Sequence, residues 1–301
     1  MRVICALLGI CLGATVAQAQ SRNSNPRQEP IRPGLVPTPP AVVSKRAKPR
    51  LPEVGKEFRR PSPSGGKFVW VPPGSFYMGC DSVPGETCEN NERPRHKVIL
   101  TKGFWMLDHE VTQAEYEAVV GSNPSEVKGR NLPVTNVSRG DAEDFCRKLT
   151  ARDQRDGWLY RELTVYRLPT EAEWQYAAMH GSSDVVPEIA PGATWWFYGF
   201  VGRHTPEPGL QPVRTSWSFP WGLYDLSGNV WEWCADDLAW YPGDASERKN
   251  PWGKGDSAVA RGGSFDTILR DLRYNYRLSI DRNTRRNDLG FRVIVTLPRD
   301  P

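Results

Sequence analysis

Three helix-initiation patterns lie within one part of the chain, and this clustering is the feature that most constrains the fold. Thr112, Ser138 and Thr170 are each followed three positions later by an acidic residue, a capping box that predicts a helix just after each one. After residue 181 the sequence turns to glycine, proline, tryptophan and short β-like runs. Helices confined to one region, with strands elsewhere and no internal repeat, predict an α+β fold with much irregular loop.

Short strands are predicted on both sides of the helices. Before them, alternating or apolar runs predict strands over residues 68–71, 75–78, 96–101 and 104–107, and a last strand is predicted over 290–296. Because Pro72, Pro73 and Gly74 separate the first two strands, these are expected to form a hairpin.

The N-terminal region divides into two segments that are not expected to pack. Residues 1–19 combine an apolar stretch with an Ala-Gln-Ala end, the pattern of a cleaved signal peptide, and the stretch is too short for a permanent membrane span. Residues 20–64 contain ten prolines and ten Lys/Arg against three Asp/Glu, which predicts a basic linker. We therefore expect a periplasmic or secreted protein without a transmembrane segment.

The folded domain is expected over residues 65–298. Residues 65–301 carry 28 Lys/Arg against 32 Asp/Glu, so the basic character belongs to the linker and nucleic acid is not an expected partner. Four cysteines remain after the signal peptide. Cys80 and Cys88 could close a local loop, whereas Cys146 and Cys234 could pair with each other or stay buried and reduced. The four histidines, at 96, 109, 180 and 204, have no metal-ligand spacing, and His96 and His109 are interpreted as surface or packing residues.

Seven motifs occur in one order along this domain. They are residues 72–79 (PPGSFYMG), 110–116 (EVTQAEY), 133–138 (PVTNVS), 166–174 (YRLPTEAEW), 222–233 (GLYDLSGNVWEW), 261–265 (RGGSF) and 290–292 (GFR). Together they resemble the sulfatase-modifying-factor, or formylglycine-generating enzyme, family over about residues 66–296. The resemblance implies a variant of the C-type lectin fold.

Residues 225–232 (DLSGNVWE) hold two carboxylates on either side of a Gly-Asn turn, an arrangement that suits a hard cation. The resemblance implies a calcium ion bound by Asp225 and Glu232 and by the carbonyls of Gly228 and Val230. The alternative is that Asp225 and Asn229 close an Asx-type turn and Glu232 meets an arginine.

The oxidase members of the family hold Cu(I) with two cysteines that follow the Gly-Gly-Ser-aromatic motif. In this chain an ungapped count from Arg261 places Thr267 and Leu272 at those two positions, and no cysteine follows Cys234. Since Cu(I) prefers thiolate ligands, we expect neither copper nor the family's oxidation reaction.

The same region holds a cluster of arginines and tyrosines, residue types that are common on recognition surfaces. The resemblance places Arg270, Arg273, Tyr274, Tyr276 and Arg277 along the family's substrate groove. The alternative is that several of these arginines pair with carboxylates of the domain.

These features favour an exported protein that binds a protein, peptide or glycan ligand without oxidising it. The rival hypothesis is a maturation enzyme that acts on an exported protein or a peptide-derived metabolite. A third is an envelope scaffold whose partner binds the basic linker. The oligomeric state is left open.

Overall fold

The computed structural model describes residues 58–59, 66–81, 88–157, 165–181, 209–216, 218–243 and 246–296. The predicted signal peptide, residues 1–19, lies outside these residues, as does the predicted linker apart from residues 58–59. Among the described residues, no helix is long and apolar enough to cross a membrane.

The described chain forms three helices and twelve short strands. The helices are α1 (Gln113–Val120), α2 (Arg139–Arg155) and α3 (Glu171–Ala178). The strands are β1 (Phe58–Arg59), β2 (Lys67–Val71), β3 (Gly74–Met78), β4 (His96–Leu100), β5 (Phe104–Leu107), β6 (Val165–Arg167), β7 (Trp231–Asp237), β8 (Arg248–Lys249), β9 (Ala258–Arg261), β10 (Leu278–Ile280), β11 (Leu289–Gly290) and β12 (Ile294–Thr296). This is the predicted α+β fold.

All three predicted capping boxes are confirmed. The hydroxyl of Thr112 accepts a hydrogen bond from the backbone N–H of Glu115, and the Glu115 side chain accepts one from the Thr112 backbone in return. Ser138 and Thr170 cap α2 and α3 in the same way. Because such a box satisfies backbone donors that the helix itself leaves unpaired, it fixes where each helix begins.

The strands form three sheets with the orders β1-β2-β5-β12-β6, β10-β9-β7-β11 and β3-β4-β8. The predicted hairpin between β2 and β3 is therefore wrong. Strand β2 pairs with β5, and β3 pairs with β4. All four residues of β5 are buried, so pairing β2 with it places both strands in the core. The turn residues between β2 and β3 carry no information about such distant partners.

Two boundaries also differ from the sequence prediction. Strand β1 pairs Phe58 with Phe68 in β2, so a strand lies inside the segment 20–64 that was expected to be a linker. The single last strand expected over residues 290–296 is divided between β11 and β12, which belong to different sheets. Arg292 lies between them, and its fully buried side chain turns towards Glu232.

Two hydrophobic clusters form the core. The first gathers residues from α1, α2 and the sheets around Phe145 and Phe291, and the second surrounds Trp174 of α3. Cys146 is buried in the first cluster and Cys234 in the second, and neither forms a disulfide. Cys80 and Cys88 form the local disulfide that the sequence allowed, with their Cα atoms 6.1 Å apart.

Candidate functional site

A buried group of charged residues lies where β7, the turn that precedes it and the segment between β11 and β12 meet. Glu232 of β7 is fully buried and accepts hydrogen bonds from Arg292 at both carboxylate oxygens, at 2.6 Å each. The indole N–H of Trp174 donates to the same carboxylate at 2.8 Å. Glu232 therefore meets an arginine, as the alternative interpretation of residues 225–232 expected.

Asp225 lies in the turn before β7 and is also buried. Its backbone takes a left-handed conformation, with φ of 59°, as does Asn229 with φ of 63°. The Asp225 carboxylate accepts hydrogen bonds from the backbone N–H of Arg214 at 2.7 Å and from the hydroxyl of Ser216 at 2.5 Å. The turn thus holds this carboxylate inside the protein rather than in solvent.

Glu110 is a third buried carboxylate in this group, and sequence reasoning missed it. The side chain is fully buried, and neither of its carboxylate oxygens has a hydrogen-bond partner among the described residues. Burial raises the pKa of Glu110 well above its ordinary value, and the nearby negative charges of Asp225 and Glu232 raise it further, against the opposing effect of Arg292. An unpartnered buried carboxylate is costly unless it is protonated or meets a cation.

The chemistry of these residues fits a hard cation. Three carboxylates face one close arginine, and their oxygens are the ligand type that Ca²⁺ prefers. Their spacing is wider than that of a closed metal site, because among the described residues only Cys80, Cys88 and Glu92 bring three potential ligand atoms within 4.8 Å of one another. The sequence contains the motif that begins at Glu110, but no local pattern indicates that the Glu110 side chain is buried.

A second buried network adjoins this group at the start of α1. His109, interpreted from the sequence as a surface or packing residue, lies between two carboxylates, with Nδ1 2.6 Å from Asp108 and Nε2 3.4 Å from Glu115. The pKa of His109 is raised, because the two carboxylates outweigh the opposing effect of burial. Arg214 also binds Asp108, at 2.6 Å, so the network is balanced in charge.

The positions that correspond to the lost cysteines are occupied by packing residues. The hydroxyl of Thr267 is buried and accepts a hydrogen bond from the backbone N–H of Ser264 at 2.8 Å. Leu272 is buried against Gly263, whose φ of 75° and lack of a side chain make room for it. Neither residue offers the soft ligand that Cu(I) requires, so the site does not fit copper.

The arginine and tyrosine cluster is largely internal. Arg273 binds Glu92 through two hydrogen bonds, at 2.7 and 2.9 Å, and Arg277 binds Glu171 at 2.5 and 2.7 Å. Both arginines are buried, and Tyr274 is buried in the second hydrophobic cluster. Arg273 and Arg277 therefore pair with carboxylates of the domain, which was the alternative to a ligand-binding role.

The remaining members of the cluster are accessible. The Arg270 side chain is 57% exposed and pairs with Asp271, and Tyr276 is half-buried. Ile268, two positions before Arg270, is 54% exposed. Ile268, Arg270 and part of Tyr276 are therefore accessible to a ligand.

A cleft of about 490 Å³ lies elsewhere, beside the first turn of α1. Gln113, Asn123, Lys128 and Arg130 are among its lining residues. The Gln113 side chain accepts hydrogen bonds from the Asn123 side chain and from the backbone N–H of Gly129, so it organises the loop that forms the cleft wall.

The order of elements and the motif positions match a known family. A sequence profile for the sulfatase-modifying factor enzyme 1-like domain matches residues 54–297. The chain belongs to this family. Its fold is accordingly a variant of the C-type lectin fold, as predicted.

Relatives in the sulfatase-modifying-factor family carry different names. The chain is 26% identical to chaperone protein LppX of Paenibacillus barcinonensis, over 66% of this chain and 82% of that protein. It is 34% identical to the formylglycine-generating enzyme of Streptomyces coelicolor over 56% of this chain, and spans about half, 54%, of that enzyme's length. Treponema denticola variable protein 1 has a similar structure, with a TM-score of 0.66 and 25% identity over 80% of this chain and 99% of that one.

Proposed function

We propose that this protein is an exported member of the family that binds a polypeptide or glycan ligand and does not oxidise cysteine to formylglycine. The observation that carries the proposal is that no cysteine follows Cys234, and the residues that an ungapped count places at the copper-binding positions, Thr267 and Leu272, are both buried in packing contacts. A protein without a thiolate pair at this position cannot hold Cu(I) there, whereas the rest of the domain is retained.

The other cysteines are not placed to substitute. Cys146 and Cys234 are buried in separate hydrophobic clusters, and burial raises the pKa of both thiols above its ordinary value. Thiolates, rather than thiols, bind metal, so both are poor ligands. Cys80 and Cys88 are joined to each other.

Ligand binding is proposed at the surface formed by Ile268, Arg270 and Tyr276. It combines an apolar, a cationic and an aromatic side chain, the residue types that supply binding energy at protein surfaces. The name of the relative LppX, a chaperone protein, favours a polypeptide ligand. The predicted signal peptide supports export, with a mature chain that begins at Gln20.

Calcium is proposed as a structural ion of this domain. The side chains of Asp225 and Glu232, with the carbonyls of Gly228 and Val230, would hold it, and Glu110 supplies a further negative charge. When bound, the ion would stabilise the folded state, because the unfolded chain does not assemble the ligands. The protein residues hold the turn at Asp225 and keep water away from the three carboxylates.

The absence of oxidase activity is tested with the mature protein, copper, oxygen, a thiol and a Cys-x-Pro-x-Arg peptide. Mass spectrometry should find the cysteine unchanged, while a formylglycine-generating enzyme assayed alongside converts it. An aldehyde product formed by this protein would overturn the proposal.

Ligand binding is tested with an array of peptides from exported proteins, followed by calorimetry on the strongest binder. Ile268→Ala/Arg270→Ala should weaken its binding by about tenfold or more, as expected for an interface anchor. Arg147→Ala, which removes an exposed arginine on α2, should leave binding unchanged. Equal affinities for the two variants would show that the ligand does not bind at this surface.

A further inference from the structure

The Cys80–Cys88 disulfide lies in an unsymmetrical environment. Cys80 is buried, with 7% of its surface exposed, whereas Cys88 is half-buried. The Nε–H of Arg93 donates to Cys88 Sγ at 3.3 Å. The other sulfur, Cys80 Sγ, lies 3.1 Å from a carboxylate oxygen of Glu92.

These contacts affect the two sulfurs in opposite ways once the bond is reduced. A guanidinium beside Cys88 stabilises its thiolate, and a thiolate is both the better nucleophile and the better leaving group. Burial next to a carboxylate favours the protonated thiol at Cys80. Its S–H would then donate to Glu92, a hydrogen bond that the disulfide cannot make because its sulfurs carry no hydrogen.

The carboxylate beside Cys80 is fixed by the rest of the fold. Arg273 holds both oxygens of Glu92 through its two terminal nitrogens. The backbone N–H of Cys80 also donates to the Glu92 carbonyl at 3.0 Å. The buried sulfur therefore has a rigid partner, while the accessible sulfur faces a cation.

We infer that Cys80 and Cys88 are an exchange-active pair that oxidises dithiols in a polypeptide substrate. A substrate thiolate attacks Cys88 Sγ, the Cys80–Cys88 bond breaks, and Cys80 takes up the proton that the substrate thiol released. The second substrate thiolate then attacks the substrate sulfur of the mixed disulfide, and Cys88 leaves as a thiolate beside Arg93. The substrate loses two electrons and two protons. The protein gains both electrons, Cys80 gains one proton, and the second proton goes to solvent because Cys88 leaves as a thiolate. This activity is independent of the proposed ligand surface and of any metal.

The first test measures the reactivity of each sulfur in the reduced mature protein. Iodoacetamide alkylation is followed across pH by peptide mass spectrometry in the native protein, in Arg93→Gln and in the remote control Arg147→Gln. Cys88 should react with a midpoint below the usual thiol pKa of about 8.5. Arg93→Gln should raise that midpoint and slow alkylation at pH 6.5 by at least ~3-fold, and Cys80 should react more slowly than Cys88 throughout.

The second test measures exchange itself. The oxidised protein is mixed with a short peptide dithiol, and transfer of one disulfide equivalent per protein is followed by mass spectrometry. The native protein and Arg147→Gln should oxidise the peptide, and Arg93→Gln should do so several-fold more slowly. If Arg93→Gln does not fold, Arg93→Met, which also removes the charge but keeps an unbranched side chain, replaces it in both tests.

Three outcomes would overturn the inference. One is equal alkylation of Cys80 and Cys88 with ordinary midpoints. Another is an Arg93 variant that is indistinguishable from Arg147→Gln. The third is a disulfide that does not react with the dithiol peptide while the protein remains folded, since this describes a purely structural bridge.

Discussion

Arg292 and Glu232, 60 positions apart in the chain, form a bidentate ion pair in which both side chains are fully buried. The pair joins the segment between β11 and β12 to strand β7. Arg292 also donates to the backbone carbonyls of Leu107 and Tyr224, at 3.3 and 2.9 Å. One guanidinium thus ties three distant parts of the chain together.

Removing the cation from this pair should destabilise the protein severely. Arg292→Met leaves Glu232 beside Glu110 and Asp225 without its cation, so the free energy of unfolding should fall by about 3–5 kcal/mol. Urea unfolding measures this. Arg147→Met, at an exposed position, should change it by less than about 0.5 kcal/mol. If Arg292→Met lowered the free energy of unfolding as little as Arg147→Met, the ion pair would contribute little to stability.

Calcium binding should strengthen as pH rises, because a cation and a proton compete for Glu110, whose pKa is raised. Calcium should therefore raise the melting temperature more at pH 8 than at pH 5. Glu110→Gln should reduce the calcium-dependent increase in melting temperature. Without calcium the same variant should be at least as stable as the native protein, since it replaces a buried carboxyl group that has no hydrogen-bond partner among the described residues. A melting curve that calcium leaves unchanged at both pH values would contradict the proposed ion.

Asp236 should make the protein less stable as pH rises through neutrality. Burial, with repulsion from Glu171, raises its pKa from 3.8 to about 7. The folded state therefore binds this proton more tightly than the unfolded chain, and the stability it contributes is present below 3.8 and lost as pH rises through about 7. Each unit of this difference corresponds to about 1.4 kcal/mol.

Asp236→Asn supplies the control for this pH dependence. Its side-chain oxygen can still accept the hydrogen bond from the Glu171 backbone N–H, which is 2.7 Å long in the structure. The urea midpoint of this variant should not decline between pH 5 and pH 8. An identical decline in both proteins would assign it to other groups.

Arg273 should act on stability rather than on ligand contact. Arg273→Ala leaves Glu92 buried without its cation and should lower the free energy of unfolding by about 3 kcal/mol or more. Arg270→Ala, three positions earlier and exposed, should change it by less than about 0.5 kcal/mol. Thermal and urea unfolding of the two variants, compared side by side, measure this difference. A stable Arg273→Ala protein would mean that Glu92 finds another partner.

The sequence by itself determined the starts of the helices, the α+β class and the family. Each capping box at Thr112, Ser138 and Thr170 is a contact within four residues, so its outcome depends on local chain geometry alone. The loss of the copper-binding cysteines is likewise a property of the sequence, because no cysteine follows Cys234.

Tertiary structure decided which strands pair and which charged residues are internal. The turn after β2 predicted pairing with β3, but burial beside β5 prevailed. No local pattern marked Glu110 as buried, and Arg273 was expected along a ligand groove, yet each is buried next to charges contributed from distant segments. The physical reason is that a buried charge is determined by the partners that the whole fold brings to it, and no local pattern specifies those partners.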